Sequence, residues 1–187
     1  MSGGVSNGIP LSLLTDNDGP SQRLRVDPGQ TGFFAGKMFR TYREFSVPTI
    51  GPAVYLRFTS PVDFILWQQS LEVDLGGIRL EVFTGATPSG TWTLVPPVGV
   101  NRMVSRPQPY YAAQAGIYTG GTFTGGTEVD LLRARCASQT VSASNVGVGQ
   151  DNERGLPAGD YYIKLSPLAG TNDTAVGIYR IIWEERG

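Results

Sequence analysis

From residue 33 to its end, the chain alternates apolar and polar residues with a period of two, and no window sustains the 3.6-residue period of a helix. In AVYLRFTS, Val54, Leu56 and Phe58 share one face, and Tyr55, Arg57 and Thr59 the other. GGIRLEVFTG sends Ile78, Leu80 and Val82 one way and Arg79, Glu81 and Phe83 the other. The closing VGIYRIIWEE sets Ile178, Arg180 and Ile182 against Tyr179, Ile181 and Trp183. Met38 to Val47 alternates in the same way. Successive side chains of a strand point to opposite faces, so each stretch is a half-buried strand pattern. Only 62–75 is ambiguous, because Phe64, Trp67, Leu71 and Leu75 could line a helix face. Its β-branched and aromatic content, with strands on both sides, favours a strand.

Turn residues punctuate these runs. With 25 Gly and 13 Pro in 187 residues, the chain reads as many short strands joined by turns. A single domain of about eight to ten strands is expected, arranged as an all-β, two-sheet sandwich or jelly roll. A chain this long buries roughly 70% of its unfolded surface, enough for a core without covalent staples. Residues 1–31 differ: MSGGVSNG is rich in Gly and Ser, and TDNDGPSQ and VDPGQTG are turn clusters. They are expected to form an extended N-terminal arm before a β-sandwich domain over 32–187, and deleting them is expected to leave the fold intact. Residues 138–157 read as one long polar loop.

Composition removes several classes of chemistry. Net charge is −1, without the basic excess of a nucleic-acid binder. The chain has no histidine, so Ser-His-Asp and Cys-His catalysis are unavailable. Its one cysteine, Cys136, cannot form an intrachain disulfide or a zinc site, and it sits in an alternating strand as a buried thiol would. TDNDG at 15–19 lacks the distant glutamate of a calcium loop and reads as a turn. The start of the chain lacks a basic region followed by an apolar run, so no secretory signal is expected. The apolar run FILW at 64–67 is too short to span a bilayer. The cations are skewed: of 15 Lys and Arg, only Lys37 and Lys164 are Lys, leaving 13 Arg. Arginine forks to carboxylates and stacks on rings, which suits interfaces; a GC-rich genome would produce the same skew.

The stretch GIYTGGTFTGGTEVD at 116–130 has glycine pairs but no Gly-Lys-Ser/Thr end, and Glu128 would repel a phosphate. It reads as a β-excursion with a turn at each end and Phe123 at the tip. Phe123 either docks on a neighbouring subunit, the preferred reading, or folds back on its own domain. Glu72 with Asp74, Glu81, and Glu128 with Asp130 are the carboxylates a glycosidase could use, since residues two apart share a strand face. Acidic residues this frequent make such pairs by chance. Trp92, Tyr110, Tyr111 and Tyr161 are possible sugar platforms, with ordinary core packing the plainer reading. No catalytic residue, cofactor or metal ligand is assigned.

The segments GKMFRTYREFSVP, LEVDLGGIRLEVFTGATPSGTW and QDNERGLPAGDYYIKL, with the closing WEERG, together resemble small virion structural proteins of tailed bacteriophages. The resemblance spans 33–187. It implies a non-enzymatic capsid decoration (cement) protein, β-rich and trimeric or dimeric, that clamps the major capsid protein or other virion subunits. Such a protein is assembled into the virion in the host cytoplasm, with no nucleic-acid or membrane partner. Phe33, Phe34, Arg40, Arg43, Tyr110, Tyr111 and Phe123 are the partner contacts this reading implies. The alternatives are a tail-fibre or receptor-binding tip and a carbohydrate-binding β-sandwich module.

Overall fold

The computed structural model describes residues 15–16, 23–24, 31–103, 111–136, 146–148, 154–170 and 174–187. The chain divides into two units, Met1–Thr31 and Gly32–Gly187. In the first, β1 (Thr15–Asp16) pairs antiparallel with β2 (Arg23–Leu24); apart from Thr31, the rest of the expected arm lies outside the described residues. Then come a single helical turn, α1 (Thr31–Phe34), and the long strands β3 (Met38–Val47), β4 (Val54–Ser60), β5 (Phe64–Leu75) and β6 (Gly77–Thr84). Short strands follow: β7 (Thr87–Ser89), β8 (Thr93–Val95), β9 (Val98–Gly99), β10 (Gly116–Thr119) and β11 (Thr122–Thr124). The chain closes with β12 (Thr127–Arg135), β13 (Val146–Val148), β14 (Arg154–Leu156), β15 (Gly159–Pro167) and β16 (Ala175–Glu185).

The pairing is nested. β3 pairs β16, β4 pairs β15, β5 pairs β13 and β14, and β6 pairs β12, all antiparallel. This is one long antiparallel ribbon, with its turn between β6 and β12, rolled up so that successive strands fall in opposite sheets. Rolling adds the β5–β16 and β6–β15 pairs. The result is a two-sheet sandwich with jelly-roll topology. One sheet runs β12-β6-β15-β4-β10-β8, and the other β13-β5-β16-β3-β9 with β14 also on β5. The expected long loop over 138–157 is therefore interrupted by β13 and β14. The polar sequence hid them because each is only three residues long, below the length at which alternation is visible. No helix among the described residues is long and apolar enough to cross a membrane.

The core lies between the sheets and uses the faces that alternation picked out. Leu56, Phe58, Ile78, Leu80, Tyr179 and Trp183 are all buried. The 62–75 window is strand, not helix. Two register shifts in the β5–β16 ladder absorb its mixed pattern, placing Trp67 and Asp74 as extra residues. The Trp67 indole then donates to Glu184 Oε2 at 2.9 Å. At the second shift the strands approach closely, and a Cβ on Gly177 would lie 2.0 Å from the Glu72 carbonyl oxygen. Only glycine fits there.

The Gly-Gly-Thr excursion forms as expected, but Phe123 at its tip does not project. Gly120, Gly125 and Gly126 take positive φ values of 99°, 69° and 93° and turn the chain at both ends. β11 pairs with β7, and this ribbon lies over the outer face of the β4–β15–β6 region. Phe123 is only 8% exposed, with its ring centroid 5.2 Å from Tyr55, 5.5 Å from Phe83 and 5.2 Å from Tyr162. The preferred expectation of an exposed anchor is thus corrected. An outward-facing aromatic trio on three neighbouring strands needs cover, and Phe123 supplies it from the same domain.

Candidate partner-binding groove

The outer face of the β5–β16–β3–β9 sheet is built in rows set by the ladder register. Gln68, Ile182, Arg40 and Val98 lie side by side across four strands. Two residues along each strand, the next row is Ser70, Arg180 and Tyr42. The row beyond is acidic at both ends: Glu72, Ile178 and Glu44. Alternation in β3 and β16 sends Thr41, Tyr179 and Ile181 inward, so Arg40, Tyr42, Arg180 and Ile182 share the outward side.

A groove of about 810 Å³ runs over the first two rows and is completed by Val95, Pro96 and Arg102. Arg43 also lines it, although its register position opposite the buried Tyr179 belongs to the other side of β3. Among the described residues β9 covers β3 only at Phe39 and Arg40. Beyond that point no described strand pairs with this side of β3. Four arginines converge. Arg180 reaches Glu72 at 3.4 Å; Arg40, Arg43 and Arg102 form no ion pair among the described residues. Tyr42 is 62% exposed and Val98 41%. Exposed Arg and Tyr beside aliphatic side chains, with Lys absent, is the composition of a protein interface core rather than of average surface.

Of the contacts expected from sequence, Arg40 and Arg43 meet in this groove. Phe33 and Phe34 sit on α1, edge to face with centroids 5.3 Å apart, and Phe34 is 60% exposed; neither lines the groove. Tyr111 is half-buried against Phe39, with the Lys37 ammonium over its ring at 5.2 Å. Burial, then the neighbouring Glu185 charge, raises the Tyr111 hydroxyl above the usual tyrosine range. Tyr110 lies outside the described residues, and Phe123 is the buried plug described above. Sequence reasoning missed Arg102, Arg180 and Tyr42. Alternation had placed Arg180 opposite Tyr179 and Trp183, but only the β3–β16 register brings it beside Tyr42.

The other candidates disperse. Of the possible sugar platforms, Tyr161 is core and Trp92 packs against Tyr162 at 6.5 Å. Glu81 is buried between Arg79 at 2.8 Å and Lys164 at 3.6 Å. Glu128 and Asp130 do not share a face, because a register shift between them turns Glu128 outward toward Arg79 and Asp130 toward Arg154 at 2.8 Å. Glu72 and Asp74 are separated by the second shift in β5. Among the described residues no three His, Cys, Asp or Glu side chains gather as metal ligands would. In comparisons with known proteins, the chain matches no family model, no curated protein and no solved structure.

Proposed function

We propose that this chain is a non-enzymatic structural protein of a tailed-bacteriophage virion, of the capsid decoration type, which holds neighbouring subunits together by surface adhesion. The observation that carries this reading is the groove formed by Arg40, Arg43, Arg102 and Arg180 with Tyr42, Val98 and Ile182. Arg40, Arg43 and Arg102, which form no ion pair among the described residues, are available to fork to carboxylates on another subunit. The aliphatic and tyrosine side chains between them supply apolar area at about 25 cal/mol per Å² buried. Repetition over a lattice multiplies such contacts as avidity. The jelly roll is a fold that viral coat proteins and lectins both use, so it supports the reading only by analogy. The virion assignment itself rests on the sequence resemblance.

The test uses particles assembled without this protein. Arg40→Glu with Arg102→Glu changes two exposed side chains, so the folded chain keeps its melting temperature. Co-sedimentation with the particles is expected to weaken at least tenfold, and wild-type binding to fall as salt rises. Binding of the double variant as tight as wild type would overturn the reading.

A further inference from the structure

At the opposite edge of the β3–β16–β5 sheet, the two layers part and leave a second concavity of about 380 Å³ between them. Its walls are Phe58, Val82 and Ile163 from one sheet and Phe64, Leu66 and Ile181 from the other. An apolar cavity less than half this size stays dry and takes up small apolar molecules, and ligand sites begin at about 300 Å³.

Polar groups are few and placed together. Tyr179 and Gln69 line the inner wall, both buried and hydrogen-bonded to each other, which leaves the Gln69 amide with hydrogen-bonding capacity to spare. Asp130 and Arg154 stand at the rim, paired at 2.8 Å, with side chains 17% and 39% exposed. The register shift in β12 is what aims Asp130 this way: it makes Val129 the extra residue and separates Asp130 from the outward-facing Glu128. Bulges commonly re-aim a side chain beside a functional site.

We propose that this intersheet cavity is a binding site for a small, neutral, lipophilic molecule bearing one hydroxyl or carbonyl group. The apolar walls take the body of the ligand, and Tyr179 and Gln69 take the polar end. A charged end is disfavoured. The rim carries one carboxylate and one guanidinium already satisfied by each other, so an ion entering beside them breaks a pair or is left uncompensated in an apolar space. The site is on the other edge of the sheet from the arginine groove and does not depend on the proposed function.

The experiment titrates the full chain with N-phenyl-1-naphthylamine, a neutral dye whose emission rises on leaving water. Saturable binding is expected, with displacement by 1-octanol at least tenfold more effective than by octanoate or octyltrimethylammonium. Leu156→Trp, at the half-buried mouth, is expected to reduce dye affinity at least tenfold. Val129→Trp, at an exposed position on the facing strand, checks the same mouth should Leu156→Trp fail to fold. A dye signal that does not saturate, equal displacement by all three chains, or full affinity in a folded mouth variant would each overturn the proposal.

Discussion

Glu185 is a carboxylate with 0% exposure, held in the interior end of β16. Its oxygens accept from the Gln114 backbone amide at 3.0 and 3.1 Å, the Ala115 amide at 2.9 Å and the Trp183 indole at 3.3 Å. A buried charge persists only when its lone pairs are satisfied. The two backbone donors belong to the segment entering β10, so one side chain ties the end of one sheet to the start of a strand paired between β4 and β8 in the other. Glu185→Gln keeps the shape but replaces one acceptor oxygen with an amino group that faces donors. Hydrogen bonds to a charged group are worth about 1.5–3 kcal/mol. The variant is expected to lose about 2–3 kcal/mol in denaturant unfolding, with the β10 amides exchanging faster. An unchanged midpoint would show that the carboxylate holds nothing.

At the scale of elements, the β7–β11 ribbon is a cover rather than an arm. Phe123 fills a cage made by Tyr55, Phe83 and Tyr162, and truncating a buried phenylalanine costs about 3–5 kcal/mol in a core. For a ribbon at the surface, Phe123→Ala is expected to cost about 3 kcal/mol in chemical denaturation of the isolated chain, while binding through the groove on the other sheet is retained. Near-normal stability would revive the docking role. The faces of β4, β6 and β16 were legible in the sequence because each is long enough to show alternation, and the core residues Leu56, Leu80 and Trp183 follow directly. The role of Phe123 was not, because a glycine-flanked tip looks exposed until the outward residues of three separate strands are known to be neighbours. Arg40 and Arg43 were legible as interface candidates. Their meeting with Arg102 and Arg180 was not, since alternation fixes a face and only register fixes who stands beside whom.

For the whole molecule, nesting means that the first and last long strands are partners, with Val47 opposite Ala175 and Met38 opposite Glu184. The sandwich closes only when the ends of the domain meet, and the tyrosines caught in that closure report on it. Tyr161, Tyr162 and Tyr179 are all held above the ordinary tyrosine pKa, chiefly by burial. For Tyr179, which is 1% exposed, burial leads and the Asp130 charge adds to it, while Gln69 acts in the opposite sense. A group whose folded pKa is raised contributes stability that is complete below its unfolded pKa, about 10 for tyrosine. Above that pH the unfolded chain loses protons that the folded chain keeps, so stability falls until the folded pKa is reached. A hydroxyl that stays protonated in the folded chain while ionised in the unfolded one contributes a slope of about 1.4 kcal/mol per pH unit, and Tyr179, fully buried, comes nearest to that limit. Unfolding free energy is therefore expected to be insensitive to these groups below about pH 9 and to drop steeply from about pH 10 upward. Tyr179→Phe removes one titrating group, and the slope above about pH 10 is expected to flatten by about 1.4 kcal/mol per pH unit. Urea unfolding of both chains at a series of alkaline pH values measures this directly; parallel profiles would mean that Tyr179 ionises as easily in the folded chain as in the unfolded one.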